Sequence, residues 1–193
     1  MKWALTITFS FFLLLTQAQQ KINFSIVVGG KDVGDFYVTK SVSGDTTVYA
    51  GVSKTQVSLA KMFAIDYTVN VIHVGGELWR STMRNIVNND TRDALEVKRE
   101  SGVFKVFEEG ELERTISNKP DISSLEMYYS EPKGVSKTLS EVQGLLKNVT
   151  LVKEHVYKVE GESSYESYFH YKDGELQKVL VHYSLAKFEI RRD

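Results

Sequence analysis

The chain has 193 residues, 42% hydrophobic and 25% charged, with 24 Lys and Arg against 25 Asp and Glu, two prolines and no cysteine. That apolar fraction excludes a disordered chain, and the charge fraction excludes a bundle of membrane helices. The near-neutral balance removes the electrostatic footprint of a nucleic-acid binder, and the absence of cysteine removes disulfides, thiolate zinc sites, a Cys nucleophile and thioether lipid attachment.

The first element in chain order reads as a secretory signal peptide over residues 1–18. Lys2 supplies the positive charge, Trp3 to Leu15 is uncharged, and Thr16-Gln17-Ala18 supplies small residues before a cut after Ala18. As a helix the apolar run would rise only about 20 Å, short of a hydrocarbon core of roughly 30 Å, which disfavours a transmembrane anchor. No cysteine follows the run, so a bacterial lipoprotein is excluded and the mature chain, 19–193, is expected to be a single soluble domain. An exported chain without disulfides fits the periplasm or the bacterial exterior. The Asn-x-Ser/Thr triplets at Asn23, Asn89 and Asn148 arise often by chance and carry little weight.

From Ile22 onward, segments rich in Val, Ile, Thr, Tyr and Phe alternate with glycine-bearing dipeptides, the pattern of an antiparallel β meander. The predicted strands are Ile22–Val28, Val33–Val42, Thr46–Ser58, Ile65–Val74, Glu77–Val87, Ala94–Arg99, Val103–Glu108 and Leu112–Ile116. After an interruption come Val149–Val159, Tyr165–Tyr171, Leu176–Ser184 and Lys187–Arg191, about a dozen in all. Gly29-Gly30, Gly75-Gly76, Ser101-Gly102, Glu109-Gly110 and Asp173-Gly174 supply the positive φ that tight hairpins demand, so consecutive strands are expected to pair. The interruption, near 121–146, holds two segments able to form a turn or two of helix, Asp121–Tyr129 and Ser140–Leu146. Phe104 and Val106, with Leu112 and Thr115, alternate with Lys105, Glu108, Glu111 and Glu113, as in a sheet with one wet face. The expected architecture is all-β: a strongly curved sheet or partly closed soluble barrel, since closure removes exposed edges. A membrane-spanning barrel is disfavoured by the charges crowded into Lys105–Glu111 and Lys187–Asp193 and by the lack of a terminal aromatic.

Candidate chemistry is sparse. Gly29-Gly30-Lys31-Asp32-Val33-Gly34 lacks the GK[ST] ending and following helix of a phosphate-binding loop and reads as a hairpin turn. His73, His155, His170 and His182 show no local zinc spacing. If Asp173-Gly174 is a two-residue turn, His170 faces Gln177 and His182 faces Tyr165, so the two imidazoles point to opposite faces and share no metal. Glu131 and Glu141 have the residue type of a glycosidase pair, but a hairpin loop starting at Glu131-Pro132-Lys133-Gly134 brings Glu131 near Lys137 instead, leaving both as solvated or turn-stabilising carboxylates. No G-x-S-x-G elbow, H-E-x-x-H helix or EF-hand loop occurs. The aromatics at Tyr128-Tyr129 and at Tyr165, Tyr168, Phe169 and Tyr171 suit either the lining of an apolar cavity or the packing of a curved β core.

Met127-Tyr128-Tyr129-Ser130-Glu131-Pro132-Lys133-Gly134, followed by Ser140-Glu141 and Gly144, resembles the Y-F-x-E-P-x-G, S-E and G core of an uncharacterised exported β-protein family of Bacteroidetes, a domain of unknown function. Tyr171 to Leu176 with Val179, and Phe188 to Arg191, look like that family's final hairpin, and Val28 to Gly34 is similar to its first, which is distantly similar to other periplasmic β domains. The resemblance spans nearly the whole mature chain. It implies a single secreted β domain and supplies no catalytic residue.

The sequence therefore predicts an exported, non-enzymatic protein that binds an apolar or amphiphilic ligand or an envelope partner. The alternatives are an assembly factor docking through a strand edge or the Tyr128–Gly134 segment, and a hydrolase whose Glu131, Glu141, His170 and His182 converge from distant positions. No catalytic, metal or cofactor residue is assigned, no nucleic-acid partner and no transmembrane segment in the mature chain are expected, and the ligand-binding residues are not legible.

Overall fold

A computed structural model describes residues 19–58, 62–161, 165–183 and 186–193; the signal-peptide segment lies outside the described residues. The β-rich segments become β1 (Gln20–Val28), β2 (Lys31–Ser43), β3 (Thr46–Ser58), β4 (Met62–Val74), β5 (Glu77–Val87), β6 (Asp90–Glu100), β7 (Val103–Glu108) and β8 (Glu111–Ile116). After a crossing segment come β9 (Ile122–Ser123), a 3-10 helix (Ser124–Tyr128), β10 (Lys137–Ser140), β11 (Leu145–Lys153), β12 (Val156–Glu160), β13 (Tyr165–Lys172), β14 (Glu175–Tyr183) and β15 (Ala186–Arg192).

Among the described residues fifteen strands form one sheet in the order β8-β7-β6-β5-β4-β3-β2-β1-β15-β14-β13-β12-β11-β10-β9. Two meanders thus spread from a central seam where β1 pairs antiparallel with β15, Phe24 opposite Arg192 and Ile26 opposite Ile190. Every contact is antiparallel except β9 with β10. The sheet is curved around a common core but not closed, since β8 and β9 remain edges. The glycine dipeptides do what their chemistry requires: Gly29 and Gly30 have φ of 57° and 79°, and Asp173 and Gly174 have 54° and 80°, the geometry whose twist matches that of the flanking strands. The Gly29–Gly34 stretch is accordingly the first hairpin.

Several local expectations are corrected. Val149–Val159 is not one strand but the hairpin β11–β12, turned at Glu154-His155 with His155 itself at φ 59°. Asp121–Tyr129 contains the 3-10 helix, whereas Ser140–Leu146 is a single turn, Gly144 N–H to Ser140 O at 2.8 Å, joining β10 to β11. Leu112 lies opposite the outward Phe107, and a bulge between Val106 and Phe107 shifts the later pairs by one residue. Leu112 and Thr115 are therefore exposed, and Arg114 and Ile116 take the inner positions opposite Val106 and Phe104. A second bulge between His170 and Tyr171 shifts β14 by one residue, so His170 faces Lys178 and His182 faces Glu166. Because a one-residue slip changes the face of every side chain beyond it, the two histidines share the outer face, four residues apart along the strand direction.

The inner face carries the core: Phe24, Phe36, Val38, Val69, Val71, Val97, Val106, Phe169, Leu176 and Val179 are all buried. Gly51 faces inward among them because a side chain there would collide with Phe36 and Val69, its added Cβ lying 3.0 and 2.8 Å from their atoms. The 3-10 helix lies inside the curve. Tyr128 is held edge-on by Phe24, Phe36 and Phe169, with ring centroids at 5.3, 5.2 and 6.0 Å, while the buried Tyr171 hydroxyl donates to Met127 O at 2.7 Å. Glu126 reaches back to the Ser123 N–H, 2.6 Å, satisfying one of the donors a helix start leaves open. Asp121 fastens the insertion from outside by accepting from Ser136 N–H, Ser136 O–H and Lys137 N–H at 2.9 to 3.0 Å. The edges approach through side chains: the 141–144 turn rests on β7, where a Cβ on Gly144 would lie 2.5 Å from Val106 Cγ1.

Candidate functional site

The helix divides the interior into two ends with different fates. At one end the space is filled. Tyr49 packs on Tyr129 and His73, with centroids at 5.5 and 5.8 Å, and His73 Nε2 lies 3.1 Å from Glu126 Oε2. Burial works against charge on Glu126, but His73 and the Ser123 N–H outweigh it and hold the carboxyl below its ordinary range.

At the other end the helix and the 141–144 turn leave a cavity of about 360 Å³, within the usual range of small-molecule pockets. Its walls come from both meanders: Ile26, Phe36, Val57, Ile65 and Val69 on one side, Val159, Phe169, Val179, Val181, Phe188 and Ile190 on the other, with Leu125 and Tyr128 below. The inward alternation of eight different strands produces this lining. Tyr128, Tyr165 and Phe169 line the cavity, whereas Tyr168 turns outward to contact His182, centroids 5.5 Å apart.

Polar groups interrupt the apolar wall. Ser53 and Thr55 hydroxyls bond each other at 3.0 Å, and Asn85 Nδ2 donates to Asp93 Oδ2 at 3.0 Å. Glu141 is 3% exposed and accepts from Ser124 O–H and, at 3.3 Å, from Leu125 N–H. Burial pushes its carboxyl up, and these bonds offset only some of that push. The Tyr67 hydroxyl is raised for the same reason, with a contribution from Glu141. Lys147 is 6% exposed and its Nζ sits over the Tyr165 ring at 4.8 Å. Burial lowers its ammonium to about 8.

The other sequence candidates do not join this site. Glu131, its side chain 4% exposed, accepts from His155 Nδ1 and the Tyr157 hydroxyl at 3.0 Å and pairs with Lys133 at 3.4 Å. Its partners His155 and Tyr157 are thus on β12 and the turn before it, with Lys133 from its own loop, and neither Glu131 nor Glu141 is a solvated carboxylate. His182 bonds Glu166 at 3.1 Å in an outer-face cluster with Lys158, and His170 is held below the ordinary imidazole range by burial and then by Lys178. Glu131, Glu141, His170 and His182 therefore have four separate surroundings. Among the described residues no cluster of three or more His, Asp or Glu side chains is arranged to hold a metal, and no helix is long and apolar enough to cross a membrane.

Sequence reasoning missed Lys147. The signal was present in Leu145-Leu146-Lys147-Asn148-Val149, where Lys147 shares a face with Val149, but reading it requires knowing that Val149 points inward.

Comparison with known proteins agrees with this fold. The model of a domain of unknown function, DUF6134, matches residues 24–193. Among solved structures, a β-barrel-like protein of domain of unknown function DUF1849 from Brucella abortus superposes with a TM-score of 0.59 at 11% identity, over 92% of this chain and 96% of that one. No curated protein matches the sequence.

Proposed function

The chain belongs to the DUF6134 family, and from that premise we propose that it is an exported, non-enzymatic binding protein whose interior cavity holds an apolar or amphiphilic ligand. The observation that carries this reading is the cavity of about 360 Å³ between the two meanders, lined mainly by aliphatic and aromatic side chains. A well-packed core leaves few voids larger than a water molecule, so unfilled space of this size on the core side of the sheet is a ligand's place. The uncharged run Trp3–Leu15 before Thr16-Gln17-Ala18 supports export to the periplasm or the exterior, in keeping with the resemblance to exported Bacteroidetes proteins. The hydrolase alternative loses its support with the four polar residues apart. Docking through Tyr128 loses its own, because that ring is inside the sheet.

The test is uptake of the neutral fluorophore N-phenyl-1-naphthylamine. Saturable, blue-shifted emission is expected from the native protein and none from the cavity-filling variant Ser167→Phe at equal secondary structure. Unsaturable binding, or binding that Ser167→Phe leaves unchanged, would count against the cavity as the site.

A further inference from the structure

We propose that the ligand is an amphiphile with a single negative charge on its head, of the alkyl carboxylate class, and that Lys147 receives that head. The proposal rests on the cavity being the binding site and adds the chemistry of what it selects.

Lys147 lines the cavity and is more than nine-tenths buried. Among the described residues its ammonium has no ion pair or hydrogen bond, its partner being the face of Tyr165. A buried ammonium without a counter-charge is costly, and proteins keep such groups paired or coordinated. Several other polar groups of the wall are engaged elsewhere. Ser53 and Thr55 satisfy each other, Asp93 is taken by Asn85, and both oxygens of Glu141 are turned to the 3-10 helix by Ser124 and Leu125. Lys147 thus brings a positive charge to a mostly apolar cavity, and a carboxylate is the acceptor that an ammonium bonds most strongly.

Charge balance and size narrow the class further. One ammonium neutralises one negative charge, and a dianionic head would carry surplus charge into a cavity that already contains Glu141 and Asp93. At about 30 Å³ per water-sized or methylene-sized group, the cavity of about 360 Å³ accommodates roughly twelve such groups. A medium-length alkyl chain therefore fills the aliphatic region, while the Tyr165 ring beneath Lys147 fixes where the head must stop.

The experiment is titration calorimetry of the purified protein at pH 7 with three probes of equal tail: laurate, dodecanol and dodecyltrimethylammonium. Laurate is expected to bind at least tenfold more tightly than dodecanol, with dodecyltrimethylammonium weakest. In Lys147→Met and Lys147→Gln the laurate advantage should vanish while dodecanol affinity is kept, and Lys147→Arg should keep the advantage. Equal binding of laurate and dodecanol by the native protein, or laurate affinity unchanged in both uncharged variants, would overturn the anionic head and leave the cavity reading standing. Failure of the native protein to bind any of the three would overturn both.

Discussion

Lys147 Nζ lies 4.8 Å from the centroid of the Tyr165 ring, a cation over an aromatic face inside a curved sheet, with the lysine only 6% exposed. The ring compensates some of the lost hydration, but not all of it, because burial still lowers the ammonium from 10.5 to about 8. In the unfolded chain the same group holds its proton more tightly. Between pH 8 and 10.5 the unfolded state therefore binds more protons, and stability from this residue rises as pH climbs through that window. Urea denaturation should show that rise in the native protein and a flatter profile in Lys147→Met, which should be more stable at pH 7 by about 1 to 2 kcal/mol after allowing for solvent screening. A less stable Lys147→Met at pH 7 would mean that the lysine is a structural asset rather than a binding group.

Glu126 gives a pH dependence of the same sign in an acidic window. Its folded carboxyl is held below the ordinary value by His73 and the Ser123 N–H against the penalty of burial. Its contribution is thus fully present above pH 4.5 and is lost as pH falls through the lower folded value. Glu126→Gln should cost about 1 to 2 kcal/mol near neutrality, with the gap between the two proteins closing on acidification in parallel denaturant titrations.

The 3-10 helix is held by identifiable contacts. Tyr128→Ala removes the ring lodged among Phe24, Phe36 and Phe169 and should cost about 3 to 5 kcal/mol. Tyr171→Phe leaves Met127 O without its buried donor and should cost about 1 to 2 kcal/mol. Equilibrium unfolding reads both, and a near-neutral Tyr128→Ala would mean that the helix does not occupy the core.

Two glycines at positive φ differ in what a side chain would meet. A Cβ on Gly34 would meet Lys54 O at 2.2 Å and Thr55 Cα at 2.7 Å, both main-chain atoms of β3, so Gly34→Ala must push β2 away from β3 and should cost about 2 kcal/mol or more. Gly174, at φ 80°, has nothing within 4 Å of the added atom. Gly174→Ala carries conformational strain alone, about 1 kcal/mol. Thermal melts of the two variants should rank in that order.

What the sequence discloses and what it hides divide along physical lines. Hairpins such as Gly29-Gly30 and Asp173-Gly174 were legible because glycine marks positive φ, and Phe104 and Val106 because alternation marks an inner face. The β11–β12 turn was hidden because His155 takes positive φ without being glycine. The bulge beside Tyr171 was hidden because nothing local marks an extra residue, and it reversed the relation between His170 and His182. Lys147 and Glu141 belong to the site only through the placement of the 3-10 helix and its neighbouring turn, a tertiary outcome that no window of residues encodes.

Native mass spectrometry of the protein purified gently from its own host tests the central claim most directly. The account predicts one bound small amphiphile per chain, released on denaturation and carrying a single acidic group. A chain that is uniformly ligand-free, and that takes up neither laurate nor dodecanol when they are added, would contradict it.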